Sequence, residues 1–263
     1  MRRLVQKRSL RWSESVCVIE GPDLVAAALD AGLEFEGIYV DPVGSSLELN
    51  SLLDRARSLG VRVFMLEAGT IGKVADVQTP QPLIAAVRFT PVTLDQIDPH
   101  GLLVVLHDVR DPGNAGTVVR TAEAAGARAV ILTGHCVDPY NPKTLRASAG
   151  ALFQIPVVVA GELPELTSWY RATGGVSFAM VVRGGTDLHS VDLSGDVLIV
   201  VGNEGEGLTT ADVAACDRTV TIAMSGASES LNVAVAAGIT IFEAAYQQTK
   251  SADSVGGPNI STP

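Results

Sequence analysis

The feature that most constrains this chain is a recurring one: a short, wholly apolar run that ends in a polar, glycine-rich turn. Leu102–Leu106 runs into His107-Asp108-Val109-Arg110-Asp111-Pro112-Gly113-Asn114-Ala115-Gly116, and Val197–Val201 runs into Gly202-Asn203-Glu204-Gly205-Glu206-Gly207-Leu208. A strand that is apolar at every position is buried on both faces, the environment of a parallel sheet covered by helices. Further strands are predicted over Ala129–Leu132, Pro156–Val159, Ser177–Val182 and Thr219–Ile222, with helices between several of them. The alternation predicts an α/β fold with a mostly parallel sheet.

Gly113–Ala125 reads as a helix whose Ala115, Val118, Val119, Ala122 and Ala125 share one face. A last helix is predicted over Ser230–Gln248, where Glu243 is the only charged residue between Leu231 and Tyr246. A helix apolar all round is buried on several sides. For a helix that ends a small domain, a subunit interface supplies the second side, although burial within one chain is the alternative.

Residues 13–90 form a separate alternating region. The turn Glu20-Gly21-Pro22-Asp23 precedes a predicted helix over Leu24–Ala31, followed by a strand over Gly37–Val40, a helix over Leu47–Leu59 and a strand over Val61–Leu66. Residues 91–101, richer in Pro and polar groups, read as a linker to a second domain over 102–248. Residues 1–12 form a basic extension, and 249–263, rich in Ser, Gly, Pro and Asn, predict a disordered tail.

With 47% hydrophobic and 18% charged residues the chain has enough apolar side chains for packed cores. No apolar run reaches the roughly 18–20 residues of a membrane span. Cys17, Cys136 and Cys216 are isolated and odd in number, which predicts no disulfide framework and a reducing, cytoplasmic setting. His100, His107, His135 and His189 lack metal-ligand spacing, so no metal is expected. The net charge of −10 counts against general nucleic-acid binding, yet residues 1–11 carry five positive charges and no negative one. Arg8 and Arg11 are therefore candidate RNA contacts.

The glycine-rich turns lie where parallel sheets bind ligands, beyond the carboxyl ends of strands. Asn114 is placed to cap a helix or contact a substrate, and Arg120 to reach a ligand or pair with Glu123. The Gly202–Leu208 turn lacks the Lys-Ser/Thr pair of a Walker loop and the spacing of a dinucleotide fingerprint. Its two carboxylates disfavour phosphate and suit a neutral or cationic ligand. In Ser225-Gly226-Ala227-Ser228-Glu229-Ser230-Leu231-Asn232, Ser228 or Glu229 is a candidate cap, which leaves Asn232 inside an apolar helix without a role.

Together and in this order, the segments resemble the SpoU/TrmH family of RNA ribose 2′-O-methyltransferases within the SPOUT superfamily. The likeness covers about residues 102–248: Asp111–Gly116 with Arg120-Thr121-Ala122 is similar to motif 1, Gly202–Leu208 to motif 2 and Ser230–Ala236 to motif 3, while Arg146–Phe153 matches a further stretch. Residues 13–90 resemble the family's N-terminal substrate-binding domain, itself similar to a ribosomal RNA-binding protein. The resemblance points to the rRNA-directed members, the thiostrepton-resistance type among them.

That resemblance implies a deep trefoil knot, a homodimer through the knot region and C-terminal helix, and S-adenosylmethionine (AdoMet) as cofactor. It places cofactor contacts at Thr133, Gly134, Gly202, Asn203, Glu204, Ile222, Met224, Leu231 and Asn232. It makes Arg120 the residue that activates the ribose hydroxyl, with Asn114, Glu204, Ser230 and Asn232 arranging the site and Arg146 a further RNA contact. A guanidinium, with a pKa above about 12, acts better by stabilising a developing alkoxide than as a literal base. The implied substrate is structured RNA, with 23S rRNA as first choice. A tRNA-directed enzyme and a non-catalytic RNA-binding or ribosome-assembly protein of the same fold are the alternatives. Motif 3 departs from the family at Ala234, where Ser is common.

Overall fold

The computed structural model describes residues 1–42, 46–74 and 79–255. The N-terminal region opens with two short helices, α1 (Arg2–Gln6) and α2 (Arg8–Glu14), so the basic extension is helical. Then come β1 (Val16–Glu20), α3 (Pro22–Asp30), β2 (Phe35–Val40), α4 (Leu47–Ser58), β3 (Val63–Met65) and β4 (Leu83–Arg88). Pro22 starts α3, where a missing N–H costs nothing, and Ser46 caps α4 by accepting from the Leu49 N–H at 3.1 Å. The sheet order is β1-β4-β2-β3; β4 runs antiparallel to both neighbours, and β2 pairs with β3 in parallel. One face, with Cys17, Ile19, Ile38, Val40, Leu83, Ala85 and Val87, packs in the core with residues of α3 and α4.

The larger region comprises β5 (Leu102–His107), α5 (Pro112–Ala124), β6 (Ala129–Thr133), α6 (Pro142–Ser148), β7 (Val157–Val159), α7 (Leu163–Ala172), β8 (Val176–Met180), β9 (Thr186–Asp187), β10 (Val197–Val201), α8 (Thr210–Ala215), β11 (Arg218–Thr221) and α9 (Val233–Val255). Its seven strands run β7-β6-β5-β10-β8-β11-β9, all in parallel. From β5 the chain builds outward through β6 and β7, then returns to build the other side. The neighbouring strands β5 and β10 therefore send their following segments in different directions, which opens a crevice beyond their carboxyl ends.

Two expectations at the C-terminus are corrected. Helix α9 begins at Val233, not Ser230, and continues to Val255, so residues 249–255 are helical rather than disordered; 256–263 lie outside the described residues. Within this chain α9 buries one side only. Ala237, Ile241 and Ala244 are fully buried, whereas Val235, Ile239, Phe242 and Tyr246 are 40–60% exposed.

The two regions are joined by buried charge. Arg11 pairs with Asp138 at 2.5 Å, each side chain 3% exposed, and the Trp12 Nε1 donates to the same carboxylate at 3.0 Å. This corrects the expectation that Arg11 contacts RNA, because its guanidinium is sealed inside the domain junction. Arg8 donates to the Cys136 carbonyl at 3.2 Å while its side chain stays exposed, and Arg146 pairs with Glu20 at 3.2 Å. The Phe89 and Tyr140 rings stack at 3.6 Å beneath this junction. Burial pushes the Cys17 thiol up to about 12 and the Cys136 thiol up to about 11, so both are protonated core residues. Among the described residues no helix is long and apolar enough to cross a membrane, and no His, Cys, Asp and Glu cluster could hold a metal ion.

Candidate active site

Three segments meet beyond β5 and β10. Asp111 precedes Pro112 and caps α5, its carboxylate accepting from the Asn114 N–H at 2.8 Å. Asn114, a candidate cap from the sequence, thereby keeps its side chain for other partners. Its Nδ2 donates to Glu204 at 3.2 Å, and its Oδ1 accepts from the Asn232 Nδ2 at 3.1 Å. Asn232 is itself the cap of α9, its Oδ1 accepting from the N–H groups of Ala234 at 2.8 Å and Val235 at 3.3 Å. The cap is thus Asn232 rather than Ser228 or Glu229, and the residue that had no role inside a helix sits at its start.

Glu204 anchors this line. Its carboxylate accepts from the N–H groups of Asp111 at 3.0 Å and Arg110 at 3.2 Å as well as from Asn114. Burial by itself raises the Glu204 pKa, but the backbone N–H groups of Asp111, Glu204 and Arg110 and the Asn114 amide outweigh it and hold the carboxyl below its usual range. The charge is therefore directed at the start of α5 rather than left to repel an incoming ligand. Asn203 braces the same loop, donating to the Asp108 carbonyl at 2.9 Å and accepting from the Gly205 N–H at 2.8 Å.

The glycines of this loop serve its own geometry first. A Cβ on Gly202 would lie 2.5 Å from the Gly207 carbonyl carbon and 2.6 Å from the Leu208 nitrogen, so the loop closes on itself there. Beside it opens a cleft of about 170 Å³, lined by Met180, Val181, Val182, Val201, Gly202–Gly207, Ile222, Met224, Ser230, Leu231, Val233 and Ala236. Its walls are apolar side chains and loop backbone, with carboxylates at Glu204 and Glu206 and no Lys or Arg. A flat, largely neutral ligand carrying a positive charge suits such a surface; a phosphate does not.

The predicted site residues divide accordingly. Gly202, Asn203, Glu204, Ile222, Met224, Ser230 and Leu231 line the cleft. Asn114 and Asn232 sit beside it through Glu204. Thr133 and Gly134 do not line it: Thr133 is fully buried with its hydroxyl on the His107 Nδ1 at 2.9 Å, and Gly134, at φ +65°, crowds Asp108. Arg120 is exposed on α5 in line with Gly113 and Thr117, and it has no ion-pair or hydrogen-bond partner among the described residues, so the expected alternative pair with Glu123 does not form. Gly116, on the same helix, is buried against α6. Arg146 is half-buried against Glu20.

Sequence reasoning missed Asp111 as the cap, although Asp before Pro at a helix start is a recognisable signal. It also missed the wall supplied by Met180–Val182 at the end of β8, for which no local signal exists. Asp108, held at φ +55°, accepts from the His135 N–H at 2.5 Å and turns the chain out of β5. An αL Asp is tolerated but not announced by sequence.

Comparison with known proteins gives concordant similarities. Residues 101–242 match the SpoU rRNA Methylase family and residues 1–85 match the MRM3-like substrate binding domain. The chain is 33% identical to the 23S rRNA (guanosine(2553)-2′-O)-methyltransferase RlmP of Bacillus subtilis over 88% of this chain and 89% of that protein. It is 32% identical to the 23S rRNA (guanosine-2′-O-)-methyltransferase RlmB of Coxiella burnetii over 90% and 98% of the two chains. Among solved structures it is similar to the SpoU methyltransferase AviRb of Streptomyces viridochromogenes in complex with AdoMet, with a TM-score of 0.83, 29% identity and coverage of 94% and 96%.

Proposed function

The chain belongs to the SpoU rRNA methylase family, and from that membership we propose that it transfers the methyl group of AdoMet to a ribose 2′-hydroxyl in 23S rRNA. The observation that carries the reading is the cleft beside Gly202–Gly207, cation-free and edged by carboxylates, with the unpaired guanidinium of Arg120 on the neighbouring helix. The residues fit the cofactor: apolar Val182, Ile222 and Leu231 suit an adenine and a methylene chain, and the acidic edge suits a sulfonium.

When bound, AdoMet supplies an already activated methyl group. The chain's own residues deal with the acceptor, a hydroxyl that is a weak nucleophile until its proton leaves. Arg120 is placed to hold the RNA backbone and to stabilise negative charge as it develops on the ribose oxygen. The Glu204–Asn114–Asn232 line fixes the starts of α5 and α9 relative to the cleft. Positioning of this kind accounts for much of the rate in a reaction between two bound partners. Arg146 and Arg8 remain candidate RNA contacts, the former once released from Glu20.

The homodimer belongs to the same proposal. Its support is the 40–60% exposure of Val235, Ile239, Phe242 and Tyr246, spaced at three to four residues along one face of α9. So does the knot: β10 lies between β5 and β8, and the chain after β11 returns to pack α9 against α5, β5 and β10.

The test is transfer of labelled methyl from AdoMet to RNA of a strain lacking the gene, with wild type beside Arg120→Ala. Label in 23S rRNA, located on ribose by nuclease-resistant dinucleotides and lost in the variant, is the expected result. AdoMet binding without label in rRNA would remove the substrate assignment and leave the cofactor reading.

A further inference from the structure

The N-terminal sheet carries an aromatic surface that its own packing does not use. On β3, Phe64 is 40% exposed although it lies in a strand. One ring face rests on β2: it stacks on Tyr39 with centroids 5.1 Å apart and planes 17° from parallel. It can lie this close because residue 37 is glycine; a Cβ there would come within 2.9 Å of the ring. Beyond that stack the residue keeps solvent-exposed surface. The Arg62 guanidinium lies over the ring, its carbon 5.9 Å from the centroid, and Nη2 donates to the Glu36 carbonyl at 3.3 Å.

The charge around this ring is unlike that of the whole chain. Tyr39 joins a small apolar cluster built on Val18, Ile71 and Ile84 and covered by Met1, Leu4 and Val5 of α1. The elements meeting there carry exposed Arg2, Arg3, Arg62 and Lys73 alongside the acidic Glu36 and Glu67, in a protein of net charge −10. The same sheet face, at its β1 edge, meets the catalytic region through Glu20 and Arg146.

We propose that Phe64, backed by Tyr39 and flanked by Arg62, is a stacking site for one unpaired base of the RNA substrate. Single-stranded and looped RNA is held by aromatic side chains that stack on splayed bases while nearby cations take the phosphates, and both parts are present at this surface. Gly37 is the residue that makes the platform, since a Cβ there would push the ring off its stack on Tyr39. The proposal rests on the RNA-methyltransferase reading and adds a place where that RNA is gripped outside the lining of the cofactor cleft.

The experiment uses the full-length protein with three probes: protein-free 23S rRNA, a fluorescent single-stranded RNA of mixed sequence, and the same RNA as a perfect duplex. Phe64→Ala is expected to weaken binding of the single strand and of rRNA about ten-fold, with Phe64→Trp restoring it, duplex binding little changed and AdoMet binding untouched. Ultraviolet cross-linking to the single strand is expected to mark the tryptic peptide 63–73. Wild-type affinity in Phe64→Ala, or cross-links confined to the catalytic region, would overturn the proposal while methyl transfer by the wild type left the functional reading standing. Loss of concentration-dependent self-association in Phe64→Ala, with RNA binding intact, would assign the surface to a second copy of the chain and equally overturn it. A wild type that neither binds nor methylates any RNA would bring down the functional reading instead.

Discussion

At the scale of single residues, Arg120 and Arg11 show how identical side chains part company. Both are arginines in segments that the sequence marks as RNA-facing, yet one stands exposed and unpaired while the other is 2% exposed in an ion pair. Arg120→Ala is expected to lower turnover about a hundred-fold, the scale of a lost charge-stabilising donor, with the AdoMet dissociation constant changed less than two-fold. Single-turnover methylation and calorimetric titration with AdoMet separate the two. Arg11→Ala should act on folding: it strands Asp138 in the domain junction, and removing one partner of a buried pair costs about 3–5 kcal/mol. Urea unfolding would read it, and an unchanged midpoint would remove Arg11 from the junction's support.

Glu204 adds a pH dependence with a definite sign. Its folded pKa is held below the ordinary 4.5, so the stabilisation it lends the site is present above that value and is lost as pH falls through the lower, folded one. The Glu204→Gln variant should therefore show a flatter acid limb in AdoMet affinity as pH falls below 4.5, measured by titration at each pH. These roles were unevenly legible. Asn114, Glu204 and Asn232 could be named from their motifs, but their mutual hydrogen bonds span 90 to 118 residues of sequence, and no local pattern encodes such a meeting. Arg11 was misread because a basic N-terminal run looks the same whether it faces phosphate or a buried aspartate.

At the scale of elements, apolar runs located the parallel strands well, because full burial leaves a continuous signature. Val197–Val201 was predicted at its observed bounds, and Leu102–Leu106 fell short by one residue, His107. Strands β1 and β4 went unassigned. They belong to a mixed sheet whose pairings join residues some 70 positions apart, as in Val16 with Arg88, although each is as long as β10 or β5. Helix contacts were less visible still. Gly116 reads as a helix weakness, yet it is where α5 meets α6: a Cβ there would lie 2.5 Å from both the Ala147 Cβ and the Thr144 carbonyl oxygen. Those neighbours are backbone and a minimal side chain, so neither can give way. Gly116→Val should therefore destabilise by about 2–3 kcal/mol through overpacking and reduced helix propensity. Gly238 in α9 makes the contrast, since its nearest neighbour for a Cβ is the Thr121 methyl at 3.6 Å, an ordinary contact. Gly238→Ala should be neutral or stabilise by up to about 1 kcal/mol. Thermal melts of the two variants side by side check the argument, and equal shifts would show that α5 and α6 can separate.

At the scale of the whole molecule, the question is what completes α9. The helix is apolar nearly all round, yet this chain covers only the side bearing Ala237, Ile241 and Ala244. Four large side chains on its other side remain 40–60% exposed, and apolar side chains grouped on one face in this way mark an interaction surface. α9 also packs on α5, and the Gly238–Thr121 contact lies one residue from Arg120. A second copy laid on this face would thus bring two catalytic helices close to one junction, and loss of the dimer should reach the chemistry. Ile239→Glu with Phe242→Glu is expected to yield a folded monomer by light scattering, with circular dichroism unchanged, since neither side chain supports the core. Methyl transfer by that monomer should fall at least ten-fold, because the proposed ordering of α5 and α9 beside the cleft would lose its outer support. A monomeric variant with wild-type turnover would show that each chain works alone and that the exposed face of α9 serves association without serving catalysis.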